Sequence, residues 1–206
     1  MRIGVLGGTF DPPHYGHLIL AEQARDQLAL DSVLWVPAAD PPHKQGVAIT
    51  PVEARLAMLR LALTGNPAFA ISRADIDRPG PHYSVDMLRL LLEQHPESEL
   101  FFLLGEDSLR DLPTWHQPAQ LAQLATLVVM RRPGLEYDLS VIERSVPGLQ
   151  QRLCFLEMPY VNISGLDIRQ RLRANRSVRY LLPDSVIGYI HLHKLYRPLA
   201  AGEREC

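Results

Sequence analysis

The chain is 206 residues long, 47% hydrophobic, with a formal net charge of −2. That length and apolar share suit one compact domain with a sizeable core, expected to span 1–206 with a helical C-terminal part from about residue 164. The near-neutral balance speaks against a nucleic-acid coat or a membrane-surface protein, and no apolar run approaches the roughly 20 residues of a membrane helix.

Taken in order, the chain alternates short apolar runs with helical patterns. Arg2–Leu6 has the length of a buried strand and runs into a glycine pair, Gly7-Gly8. Leu18–Leu28 then carries apolar residues at helical spacing, with Gly16-His17 at its start. Further strands are expected at Ser32–Val36, Phe69–Ser72, Glu99–Leu104, Thr126–Met130 and Leu153–Glu157. Most are continuously apolar, as strands covered on both faces are. Thr50-Pro51-Val52-Glu53 reads as a capping box with proline at the first helical position, and Val52, Leu56, Leu59 and Leu63 form the stripe of a helix that Gly65 ends. Ser84 reads as the cap of another helix, with Val85, Leu88, Leu91 and Leu92 inside. Ser164 reads as an N-cap with Asp167 at the third helical position, predicting a helix over Ser164–Ala174. A last helix, about Pro183–His193, buries Val186, Ile187 and Ile190.

Strands alternating with helices predict a doubly wound parallel α/β sheet, Rossmann-like, with helices on both faces. In such sheets ligands bind beyond the carboxyl ends of the strands, so the loops there carry the functional weight. The first, Gly7–His17, places a glycine turn and two histidines, His14 and His17, before a helix N-terminus. Backbone N–H groups and the positive helix end make that a seat for an anion such as a nucleotide phosphate. It lacks the spacing of a dinucleotide fingerprint and the Gly-Lys-Ser/Thr of a Walker A loop. Zinc would have to draw on His14, His17 and His43, with no cysteine near. The late helix, with Arg169, Arg171 and Arg173, reads by itself as solvated surface, and only a motif resemblance makes Ser164 and Arg169 a second candidate anion seat. The two cysteines are Cys154, within an apolar run, and Cys206. No structural disulfide is expected, which favours a reducing, cytoplasmic setting.

The string Gly7-Gly8-Thr9-Phe10-Asp11-Pro12-Pro13-His14-Tyr15-Gly16-His17 resembles the first signature of the nucleotidyltransferase superfamily, with its [HT]-x-G-H core. Ser164-Gly165-Leu166-Asp167-Ile168-Arg169 resembles the second, with Gly165 where a second hydroxyl residue is usual. Ala38–Lys44, Arg78–Ser84, Gly105–Ser108 and Leu112–His116 are similar to segments of bacterial nicotinate-nucleotide adenylyltransferases. Ser84 stands where that family commonly has threonine, which preserves the hydroxyl.

The resemblance implies transfer of AMP from ATP, with Mg²⁺, to nicotinate mononucleotide, releasing pyrophosphate and making deamido-NAD. It assigns His14, His17 and Arg169 to catalysis. Gly7, Gly8, Thr9, Phe10, Gly105, Asp107 and Ser164 join them around ATP. Lys44, Ser84, Trp115, His116 and Arg132 fall to the acceptor. The Mg²⁺ is expected to ride on ATP's phosphates without protein side-chain ligands. Small-molecule substrates are expected as partners, not nucleic acid or membrane, and homo-oligomerisation is left open. Sister transferases acting on nicotinamide mononucleotide, phosphopantetheine or a cytidylyl acceptor are the alternative, followed by a module that senses ATP without turning it over.

Overall fold

The computed structural model describes residues 1–40, 49–130, 138–157, 159 and 161–196. Every expected strand forms: β1 (Arg2–Gly8), β2 (Ser32–Pro37), β3 (Phe69–Ile71), β4 (Glu99–Gly105), β5 (Thr126–Met130) and β6 (Leu153–Leu156). They pair in parallel in the order β3-β2-β1-β4-β5-β6. The helices are α1 (Tyr15–Gln27), α2 (Val52–Leu63), α3 (Ser84–Gln94), α4 (Glu106–Asp111), α5 (Pro118–Leu124), α6 (Leu139–Ser145), α7 (Gly165–Arg173) and α8 (Asp184–Leu192). At seven residues each, α5 and α6 are too short to show an apolar stripe, so periodicity missed them. Among the described residues no helix is long and apolar enough to cross a membrane.

The continuous apolar runs have a simple cause. Along β4, Leu100, Phe102 and Leu104 point into one core with Val85, Leu88 and Leu91 of α3 and Leu121 of α5. Phe101 and Leu103 point into the opposite core with Ala21 and Ala24 of α1 and Leu59 and Leu63 of α2. Both faces of the strand are covered, so neither can be polar. A third cluster joins Met58, from another side of α2, to Ile168 of α7 and Val186 and Ile190 of α8. That cluster docks the C-terminal helices beside the sheet.

Two helix starts differ from the sequence reading. Pro51, not Thr50, is the last residue before α2, because its carbonyl accepts the first helical bond, from the Arg55 N–H at 3.1 Å. Thr50 is instead held by its backbone: its N–H donates to the Asp11 carboxylate at 3.2 Å, and its carbonyl accepts from the Arg55 Nε at 2.9 Å. Likewise Tyr83 precedes α3 and Ser84 is its first residue, since the Tyr83 carbonyl takes the Met87 N–H at 3.2 Å. Gly65 does follow α2, at φ +92, the left-handed conformation in which a helix readily stops.

Candidate active site

The strand order reverses at β1, which pairs with β2 on one side and β4 on the other. Connections leave these strands in opposite directions and open a crevice at their carboxyl ends. A cavity of about 480 Å³ lies there, within the range of small-ligand sites. Its lining brings the Gly7–Thr9 turn, Gly105 and His17 together with Tyr83, Ser84, Trp115 and His116.

The histidine motif is built by the start of α1. His14 is the extended residue before the helix, and its backbone N–H donates to the His17 Nδ1 at 3.2 Å. An accepting Nδ1 carries no proton, so the neutral His17 ring bears its proton on Nε2 and is a donor there. The two imidazoles stack with centroids 3.7 Å apart, and the Phe10 ring meets His17 edge-on at 5.1 Å. His14 is 6% exposed, and burial lowers its pKa from 6.5 to about 4. Its Nδ1 atom is buried with no hydrogen-bond partner among the described residues. An orphaned buried polar atom costs about 1–3 kcal/mol and is uncommon outside functional sites. The glycine between the histidines has a steric cause: a Cβ on Gly16 would lie 3.0 Å from the His14 Nδ1. Gly8 is similar, since a Cβ there would press on the Phe10 ring at 3.0 Å.

Arg55 holds the loops behind this motif, and sequence reasoning missed it. Only 2% exposed, it donates from Nη1 to the carbonyls of Thr9 at 2.8 Å and Ala38 at 2.9 Å, besides its Nε bond to Thr50. Burial lowers the guanidinium's pKa, and the Asp11 charge opposes that shift. One side chain thus ties the loop after β1 to the loop after β2. Its position beside Leu56 and Leu59 disguised it as the edge of an apolar stripe.

The second candidate anion seat is built at the head of α7. The Ser164 hydroxyl accepts from the Asp167 N–H at 3.1 Å, which caps α7 and leaves its own O–H hydrogen to donate. The Arg169 Nη1 donates to the Asp11 carbonyl at 2.6 Å, linking this seat to the histidine loop. The departure at Gly165 has a local reason, because a Cβ there would stand 3.2 Å from the Asp11 carbonyl oxygen and 3.3 Å from Arg169 Nη1.

Not every expected residue faces the cavity. The Phe10 ring is buried in the core beneath His17, at φ +50, and supports the motif rather than lining it. Asp107 sits exposed in the first turn of α4, where its neighbour Ser108 joins the lining. Trp115 packs against Phe102 at 6.3 Å, and His116 stacks on Tyr83 at 4.1 Å. Lys44 and Arg132, expected at the acceptor phosphate, lie outside the described residues, as does His43. Two lining residues escaped the sequence reading, Asp75 and His82. The Asp75 carboxylate accepts from Arg78 at 2.6 Å and from the Ala39 N–H at 3.0 Å, with His82 Nδ1 3.6 Å away.

The sheet order and the two candidate phosphate seats fit a nucleotidyltransferase, and the chain belongs to the cytidylyltransferase-like class, whose family model matches residues 5–171. A protein of Thermomicrobium roseum described as a probable nicotinate-nucleotide adenylyltransferase is 52% identical over 200 residues, covering 97% of this chain and 94% of that protein. One of the same description from Thermus thermophilus is 48% identical, covering 96% of this chain and 100% of its own. Within the class, the chain belongs to the nicotinate-nucleotide adenylyltransferase family. The Plasmodium falciparum nicotinic acid mononucleotide adenylyltransferase complexed with NaAD shares the fold, with a TM-score of 0.77 at 20% identity over 95% of this chain and 97% of that one.

Proposed function

We propose that this chain transfers the AMP moiety of ATP to nicotinate mononucleotide, giving deamido-NAD and pyrophosphate. The observation that carries this reading is the His14–His17 stack at the start of α1, with His17 lining the cavity together with Ser84 and Trp115. An acceptor phosphate oxygen attacks the α-phosphorus of ATP, its new P–O bond forming as the bond to the bridging β-phosphate oxygen breaks. The nucleophile is already an anion, so no general base is required. The protein's task is to align two highly charged groups and stabilise the charge that leaves.

The His17 Nε2–H is suited to donate to a phosphate oxygen, and a phosphate beside buried His14 would favour its protonated form. Ser164 and Arg169 would hold the outer phosphates at the head of α7. Gly7, Gly8, Thr9 and Gly105 would surround the nucleoside, with the exposed Asp107 at the mouth of the site. Trp115 would offer a face to the pyridine ring, with Ser84 and the backbone near His116 close to its carboxylate. ATP would enter as its Mg²⁺ complex, whose charge neutralisation eases approach of the acceptor.

Pyrophosphate release from ATP and Mg²⁺, measured in parallel with nicotinate mononucleotide, nicotinamide mononucleotide, phosphopantetheine and no acceptor, tests the reading. Fast release with the nicotinate nucleotide alone is expected. Release with a different acceptor would retain the phosphate chemistry and overturn the roles of Ser84 and Trp115. Silence with all of them would refute the proposal.

A further inference from the structure

Asp11 is the meeting point of three distant parts of the chain. It is 6% exposed, and its carboxylate accepts the Tyr196 hydroxyl at 2.5 Å and the Thr50 N–H at 3.2 Å. Its carbonyl accepts Arg169 Nη1 at 2.6 Å, while Gly165 leaves room for that approach. Arg55 and Arg169 supply the positive charge around this carboxylate.

The Tyr196 contact comes from beyond α8. There the chain reverses, with the Leu195 N–H donating to the Ile190 carbonyl at 3.0 Å and both Lys194 and Tyr196 in the left-handed region, at φ +53 and +60. Non-glycine residues are held in that region only where surrounding contacts compensate. The compensating contacts here are apolar packing of Leu195 and Tyr196 on the Met58–Ile168 cluster and the hydroxyl's bond to Asp11. Burial first, and the Asp11 charge second, raise the phenol's pKa, so the hydroxyl stays a donor.

We propose that Tyr196 is a positioning residue for the triphosphate seat: through Asp11 it fixes the carbonyl that orients Arg169. The inference rests on the adenylyl-transfer reading for the role of Arg169. The segment after α8 thereby reaches the reaction by way of one carboxylate, 185 residues back along the sequence.

The test is a double-mutant cycle of Tyr196→Phe and Arg169→Lys in the full chain. It is read as MgATP affinity by calorimetry and as KM for each substrate. Tyr196→Phe keeps the ring and its packing and should weaken MgATP binding roughly tenfold, the loss expected for one hydrogen bond to a charged group. KM for the acceptor should stay within about twofold. In the Arg169→Lys background the tyrosine substitution should have little further effect, because its influence passes through the guanidinium. Asp11→Ala, which removes the carboxylate that both Tyr196 and Thr50 bond to, should reproduce the ATP defect. Additive effects in the cycle, equal changes in both KM values, or a lowered melting temperature with unaltered MgATP affinity would overturn the proposal. Wild-type turnover decides the reaction separately, since MgATP affinity is read without any acceptor.

Discussion

The stability of this protein should fall steeply in mild acid because of His14. Its imidazole titrates near 6.5 in an unfolded chain, whereas burial holds it at about 4 in the folded one. Above pH 6.5 both states are neutral there and nothing is lost. As pH drops from 6.5 toward 4, the unfolded chain takes up a proton that the folded chain refuses, and the balance shifts toward unfolding. At pH 5 the difference amounts to about 2 kcal/mol, approaching about 3 kcal/mol below pH 4. Urea denaturation at pH 8 and pH 5, on wild type and His14→Gln, measures it. The wild type should lose about 2 kcal/mol more than the variant over that interval, whatever the variant's stability at pH 8. Equal acid losses in the two proteins would refute the claim that His14 is held neutral by burial. Saturating MgATP should shrink the wild-type loss, since phosphate charge near the ring lets the folded state accept the proton.

Three further outcomes follow from the same geometry. His17→Ala should lower kcat by about 10²–10³, the cost of one preorganised donor to transition-state charge, while circular dichroism and melting stay near wild type; turnover within a few-fold of normal would sink the mechanism. Gly16→Ala sets a methyl 3.0 Å from the His14 ring and should displace it, cutting kcat at least tenfold with stability changed by no more than about 1 kcal/mol. Steady-state kinetics beside a urea titration separates the two effects. Arg55→Met removes the donor to the Thr9, Ala38 and Thr50 carbonyls and leaves buried acceptors unpaired, so unfolding free energy should drop by about 3 kcal/mol. A loss below about 1 kcal/mol would show that the loops hold themselves.

The local chemistry of the chain determined much of this by itself. Apolar runs announced six strands, and central ones such as β1, β4 and β5 read as continuous because a parallel strand covered on both faces has no polar side to display. The Gly7–His17 string contains its own turn, helix start and charge, so a candidate anion seat was legible there, whereas the Ser164–Arg169 helix read as one only through its motif. Ser164 capped α7 as read, since a cap bond closes within three residues. What stayed hidden depends on contacts across long stretches of sequence. Nothing near Arg55 says that its guanidinium spans two loops, and nothing in Asp11-Pro12 says that Tyr196 reaches its carboxylate. Asp75 and His82 join the cavity only because the sheet brings the ends of β2 and β3 alongside β1. Tertiary structure alone decided the departure at Gly165 as well: the space a side chain would need is taken by a carbonyl from the opposite end of the chain. Short-range hydrogen bonds and periodic burial are written residue by residue, whereas the bonds that align a site are closed by the fold.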